Sequence, residues 1–172
     1  MRLVRTTPEP LQMAIEVLAP LESFNTYGLF AVMTTTRPEI VVEGSDDGVE
    51  WRAYEFRWKP GSLERAPGFA FVHMPRIDWQ MWFAALGEWR GNRWYLSFVH
   101  RLLEGSEVVT AQLAADPFAN HPPRYIRSTL YHYTFTTSAQ RAATGAWWKR
   151  ELVGEYCPTL ELVDGQLSEA RR

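Results

Sequence analysis

Glu39-Ile40-Val41-Val42-Glu43-Gly44-Ser45-Asp46-Asp47-Gly48-Val49-Glu50-Trp51 carries the strongest local structural signal in this chain. A β-branched run bounded by Pro38 and Gly44 meets an acidic turn, and a second run continues from Val49 to Trp58. Asp-Gly between two such runs predicts a hairpin, because glycine tolerates the positive φ that a tight turn requires. Alternation in the second run places Tyr54, Phe56 and Trp58 on one face and Trp51, Glu55 and Arg57 on the other. Lys59-Pro60-Gly61 then ends it with a turn.

Working outward, Leu29–Met33 is a short apolar run, and residues 8–20 place Leu11, Ala14, Ile15 and Leu18 at helical spacing between prolines. Beyond the hairpin the texture becomes helical. Asp78 is positioned to cap a helix carrying Trp79, Trp82, Phe83 and Leu86, with Gly87 as its stop. Asn92 caps a second helix through Trp94, Phe98, Arg101 and Leu102, ending at Gly105. Ser106 caps a third through Val109 and Leu113. Residues 125–136 alternate as a strand, with Ile126, Leu130 and His132 on one face and Tyr125, Arg127, Thr129, Tyr131, Tyr133 and Phe135 on the other. A polar loop over 136–145 leads to a strand beginning at Trp147-Trp148.

The order strands, helices, strands predicts an α+β fold, mainly a β-sandwich with an inserted block of short helices, the last strands pairing back with the first. The expected organisation is a helix or linker over 1–20, one domain over 21–162 and a polar tail over 163–172. Within the domain, strands are expected over 21–74, helices over 78–115 and strands over 124–162.

Composition narrows the function. The 172 residues carry a net charge of −2, with 46% hydrophobic and 22% charged residues, which is globular and gives no basic surface for nucleic acid. Aromatic residues make up 14% of the chain, a surplus that points to a β-rich core or an aromatic binding surface. The single cysteine, Cys157, excludes an intrachain disulfide and a cysteine-rich zinc site. No run of apolar residues is long enough to span a bilayer, and the N-terminus lacks the apolar core of a signal peptide, so the chain is expected to be soluble. No nucleophile elbow, phosphate-binding loop or dinucleotide fingerprint is present. His73, His100, His121 and His132 are scattered without metal-ligand spacing. The acidic turn after Glu43 reads as an Asp-Gly turn rather than a calcium loop. No catalytic residue, metal or cofactor is assigned.

The stretch His73-Met74-Pro75-Arg76-Ile77-Asp78-Trp79 is the most chemically dense. Structurally, Asp78 caps the helix and Arg76 pairs with a carboxylate or stacks on Trp79; as a cap alone, Asp78 would be worth about 1 kcal/mol. Functionally, Arg76, Asp78, Trp79 and Trp82 form a recognition surface, since Arg and Trp dominate interface hot spots. By helical periodicity Trp79, Trp82 and Phe83 fall in the core. Of Trp147 and Trp148, which point to opposite faces of a strand, one belongs to the core and the other is covered or meets a partner. Trp148 joins the candidate binding residues.

These motifs resemble the C-terminal region of the lipase maturation factor family. The likeness runs through Ser23–Phe30, Arg37-Pro38-Glu39, Val42–Trp51, Trp58–Gly61, Pro75–Leu86, Arg101-Leu102-Leu103, Pro122–Tyr125 and Trp147–Arg150. Motif positions expected to be structural are Asn25, Tyr27, Gly28, Glu43, Gly44, Ser45, Asp47, Gly48, Trp51, Lys59, Pro60, Gly61, Arg124 and Tyr125. The resemblance implies a non-catalytic interaction domain that assists maturation of a secreted client such as a lipase. It further implies attachment to a multi-pass membrane region in cis, on the lumenal side of the endoplasmic reticulum or the extracytoplasmic side of a bacterial membrane. The hairpin is also similar to that of discoidin-type, galactose-binding-like or jelly-roll sandwiches, which implies a second class, a module for carbohydrate or lipid headgroups.

Overall fold

Alternation in Arg37–Ser45, strand β1, turns Ile40 and Val42 into the main core and leaves Glu39, Val41 and Glu43 on the opposite face. The structure, a computed structural model, describes residues 36–69, 75–119 and 121–170. The chain divides into two compact units, Met1–Thr35 and Thr36–Arg172, and the described residues belong to the second. The expected helix at 8–20, the run Leu29–Met33, the boundary after residue 20, His73, and Asn25, Tyr27 and Gly28 lie outside the described residues.

The hairpin forms where its sequence predicts it. Glu43 faces Ala53 and Gly44 faces Arg52 in β2 (Arg52–Ala53), and the Tyr54 N–H donates to the Val42 carbonyl at 2.9 Å. Gly48 supplies the positive φ, +76°. Asp47 Oδ1 organises the turn by accepting from the Val49 and Glu50 N–H groups and from the Ser45 hydroxyl at 2.8, 2.9 and 3.0 Å. The second strand is shorter than its pattern suggests, because the chain leaves β1 beyond Ala53 and Tyr54, and Glu55 forms an isolated bridge with Ala115, outside the sheet. Tyr54 and Phe56 are still buried as the alternation requires, whereas Trp58 is 37% exposed.

Three helices follow: α1 (Arg76–Ala84), α2 (Arg93–Leu103) and the single turn α3 (Glu107–Thr110). Asn92 caps α2 through its side-chain oxygen, which accepts the Tyr95 N–H at 3.0 Å. Gly105 closes α2 at φ +69°, with its own N–H on the Leu102 carbonyl and the Ser106 N–H on that of Arg101. The third helix stops short of Leu113, which is buried from a turn instead.

The chain then returns to the sheet. β3 (Tyr125–Phe135) pairs antiparallel with the whole of β1, from Arg37–Tyr133 to Ser45–Tyr125. The expected polar loop at 136–145 holds a fourth helix, α4 (Ser138–Thr144), started by a reciprocal Thr137–Gln140 capping box and stopped by Gly145 at φ +75°. β4 runs over Trp148–Val163 and is paired with β3 through three register shifts. Each shift adds a residue on the β4 side, and one of these bulges accommodates Pro158, which could not sit in a regular central strand. The expected tail is in part a strand: β5 (Gln166–Glu169) pairs with β4 across a second Asp-Gly turn, Asp164-Gly165, both at positive φ.

The result is a five-stranded antiparallel sheet in the order β2-β1-β3-β4-β5, with helices added, and the expected α+β class holds. Among the described residues, the second layer is helical rather than a second sheet as the sandwich form requires. Ile40, Val42, Ile126, Tyr156, Cys157 and Leu160 from the sheet meet Ile77, Met81, Tyr95, Phe98, Val99 and Leu102 from α1 and α2. Tyr95 bridges the layers by donating its hydroxyl to Ser128 Oγ at 2.6 Å.

Two substitutions test this fold. A Cβ at Gly44 would stand 2.6 Å from the Phe118 ring and 3.1 Å from Pro123, so Gly44→Ala is expected to cost about 1–3 kcal/mol in urea unfolding; an unchanged midpoint contradicts that packing. Backbone hydrogen bonds from Val49 and Glu50, then that of Ser45, hold the Asp47 carboxyl below its ordinary 3.8. Its stabilising contribution is therefore complete above the ordinary value and lost as pH falls through the lower folded value. Unfolding of wild type and Asp47→Asn across the acid range should show the wild-type advantage shrinking; a constant difference contradicts it.

Candidate interaction surface

The position of α1 is set from its inner face. Pro75 precedes its first residue without any side-chain cap, and Asp78 sits in the first turn, fully buried. Instead of capping, Asp78 turns inward, and its Oδ1 accepts the backbone N–H groups of Trp58 and Lys59, each at 2.9 Å. This replaces the cap reading: the carboxylate stitches helix to hairpin loop. Lys59 continues the linkage to β1. Its buried Nζ donates to the carbonyls of Ile40 and Pro60, both at 3.0 Å, and stands 3.3 Å from Glu39 Oε2, an ion pair out of hydrogen-bond alignment. Glu39 is itself fully buried, and its other oxygen accepts from Arg37 Nε at 2.8 Å. The loop is clamped further by Arg65, which donates to the carbonyls of Phe56 and Lys59.

With Ile77, Asp78, Met81, Ala84 and Ala85 facing inward, the large aromatics of α1 fall on its other side. Trp79, Trp82 and Phe83 pack on one another, with ring centroids 5.0–5.4 Å apart and tilted or edge-on geometry. Phe83 is 44% exposed and Leu86 47%, while Trp79 and Trp82 are half-buried. Of this row, Phe83 is corrected from core to surface, while Trp79 and Trp82 are partly buried. The stripe that enters the described core is Ile77-Met81-Ala84, made of smaller side chains. Arg76 is exposed at the start of the helix. Trp58, whose N–H is bonded to Asp78, brings another partly exposed ring to this end of α1. Trp58, Phe83 and Leu86 were missed as surface residues because each occupies an apolar position in its periodic pattern.

Trp148 is placed elsewhere. It is 4% exposed, stacks on Phe135 at 4.3 Å, meets Tyr133 edge-on and donates its indole N–H to the Arg65 carbonyl at 2.9 Å. It is the core member of the tryptophan pair rather than a binding residue. Trp147 is half-buried beneath the Arg141 guanidinium at 4.1 Å.

The other motif positions make local contacts. Glu43 accepts from Arg127 at 2.9 Å, and that guanidinium lies 4.0 Å over Trp51. Ser45, which is buried, and the exposed Asp47 and Gly48 form the first turn, beside Gly44. Pro60 is buried next to Lys59, and Gly61 offers its carbonyl to the Tyr133 hydroxyl at 2.8 Å. Arg124 lies over the Tyr125 ring and 3.9 Å from Glu161.

Buried reactive groups are held inert. Burial pushes the Cys157 thiol up to about 12, which leaves it protonated at neutral pH. Burial likewise raises Tyr95 well above its ordinary value and Tyr156 to about 12. Among the described residues, no group of three or more His, Cys, Asp or Glu could hold a metal ion. None of the described helices is long and apolar enough to cross a membrane.

Residues 23–158 match the lipase maturation factor C-terminal domain. The chain is 47% identical over 150 residues to lipase maturation factor 2 of Gallus gallus, covering 83% of this chain and 21% of that protein. It is 44% identical over 158 residues to the Homo sapiens protein of the same name, covering 88% and 22%. Lipase maturation factor 1 of Mus musculus is 39% identical over 153 residues, covering 84% and 27%. The chain thus spans about a fifth to a quarter of the length of these relatives. No solved structure matches it.

Because Asp78 satisfies two N–H groups inside the protein, Asp78→Ala is expected to cost about 2–5 kcal/mol in urea unfolding, above the value for a helix cap. Asp78→Asn retains an oxygen acceptor and should lose less. A loss near 1 kcal/mol for the alanine variant would restore the capping role.

Proposed function

The chain belongs to the lipase maturation factor family through its C-terminal domain, and from that membership we propose that it is a non-catalytic docking domain for a lipase-like client during maturation. The observation that carries this reading is the exposed pair Phe83 and Leu86, with Phe83 packed on the half-buried Trp79 and Trp82, on a helix whose opposite face is tied down by Asp78. A folding client that has not yet assembled exposes apolar surface that would otherwise aggregate. Rings already packed on one another give up little conformational freedom on covering such a surface, so most of the gain from burial is kept as affinity. Arg76 and Trp58 flank the row and supply polar and aromatic contacts of the kind found at interface hot spots. The inert thiol fits a role in which binding, and not bond making, is the contribution.

By the same family membership we place such a domain beside a membrane-spanning region in cis, on the lumenal side of the endoplasmic reticulum or the extracytoplasmic side of a bacterial membrane. The small share of each relative that the chain covers is consistent with such a region in the relatives, since most of their length lies outside this domain.

The test uses the whole chain, immobilised, and a secreted homodimeric lipase dissociated by dilute guanidinium as the probe. Phe83→Ser with Leu86→Ser changes exposed positions and should leave the unfolding midpoint within about 0.5 kcal/mol of wild type. Binding of the dissociated lipase should weaken about tenfold or more, and the native dimer should bind neither protein. Unchanged lipase binding by the double variant, or binding of lipid vesicles or sugars with none of lipase, would overturn the reading.

A further inference from the structure

A second site stands apart from the aromatic row. Among Tyr54, Glu107, Thr110, Asp116, Phe118 and His121 lies a cleft of about 180 Å³, well below the size of ordinary small-molecule pockets and near that of a single large side chain. Tyr54 lines its base, 4% exposed, and its hydroxyl makes no hydrogen bond with any described residue. Its charge is negative. Asp116 uses one oxygen to accept the Phe118 N–H at 2.8 Å, and neither Asp116 nor Glu107 enters an ion pair among the described residues.

The neighbouring charges are already balanced. Arg52 donates to Asp46 and to the Pro117 carbonyl, each at 2.7 Å, and lies 3.8 Å over the Phe118 ring. The His121 ring stands 3.7 Å from Asp46. Arg52 also shows what this environment accepts, a guanidinium stacked on Phe118 and donating to oxygens around it.

We infer that this cleft binds one guanidinium group, the side chain of an arginine presented by a polypeptide partner. A planar fork of donors suits two carboxylates and a hydroxyl spread around one small cavity better than a point charge does. Burial and the charge of Asp116 push the Tyr54 hydroxyl well above its ordinary value, so it stays protonated, a neutral hydroxyl whose lone pairs can accept from the ligand. The site goes beyond the docking role of α1 and involves none of its residues.

Amide NMR spectra of the intact chain, titrated with acetyl-arginine amide, agmatine and acetyl-citrulline amide, test the inference. Acetyl-arginine amide should give saturable shifts at Gly105, Thr110 and Phe118, and the uncharged citrulline analogue none. Asp116→Asn, which keeps an oxygen for the Phe118 N–H, should weaken binding about tenfold, the value of one charge-assisted hydrogen bond. Tyr54→Phe should weaken it in the same direction, and Phe83→Ser with Leu86→Ser should leave it unchanged. Shifts from citrulline equal to those from arginine, no saturable shift at the cleft, or full affinity in Asp116→Asn would overturn the site. Agmatine binding more tightly than acetyl-arginine amide would overturn the polypeptide partner in favour of a free guanidine compound.

Discussion

The buried linkage of Glu39, Lys59 and Asp78 is the constraint on which the rest of this domain depends. It connects β1, the loop after the first hairpin and the first turn of α1, three segments that are not neighbours in the chain. An ion pair in a protein interior is no easy source of stability, since both charges give up their hydration. Its consequence is geometric. Moving the loop would strand a buried ammonium, a buried carboxylate and two backbone N–H groups together, so one arrangement is strongly preferred. That arrangement fixes which side of α1 meets the sheet and which side carries Trp79, Trp82 and Phe83.

The sheet supplies the matching curvature. All three register shifts fall between β3 and β4, and the extra residues lie on β4. Bulges of this kind bend a strand and increase its twist. Here they allow the adjacent residues Tyr156 and Cys157 to be buried together, with the Tyr156 hydroxyl reaching the Ala84 carbonyl at the end of α1 at 2.8 Å. Both ends of α1 are thus held by polar contacts, Asp78 at the start and Tyr156 at the finish. At the far end of the sheet, Trp148 and Tyr133 secure the loop that carries Lys59, through the carbonyls of Arg65 and Gly61.

Much of this was legible in the sequence, for reasons that are local. The Asp47-Gly48 turn, the Asn92 cap and the Gly105 stop act within a few residues of their own position, and each is found as expected. Two equally local signals went unread. Asp164-Gly165 repeats the hairpin signature of the first turn, and Thr137-x-x-Gln140 is a capping box, yet both lie in polar stretches without a long apolar run. The errors at the candidate surface have a different origin. Both sides of α1 are apolar, so periodicity alone cannot say whether Ile77-Met81-Ala84 or Trp79-Trp82-Phe83 faces inward. The sheet selects the smaller stripe. Likewise, Asp78 before an apolar run looks like a cap, and only the tertiary return of Trp58 and Lys59 makes it a buried acceptor.

The functional account then rests on rigidity: a lipase maturation factor domain that presents an aromatic row must hold α1 in one position. Hydrogen exchange at the Trp58 and Lys59 amides measures this most directly, because among the described residues both N–H groups are bonded only to Asp78. The account predicts that they exchange with the slowest core amides, by global unfolding. Fast exchange at both, with the core amides of α2 still protected, would mean that α1 is loosely attached, and would contradict it.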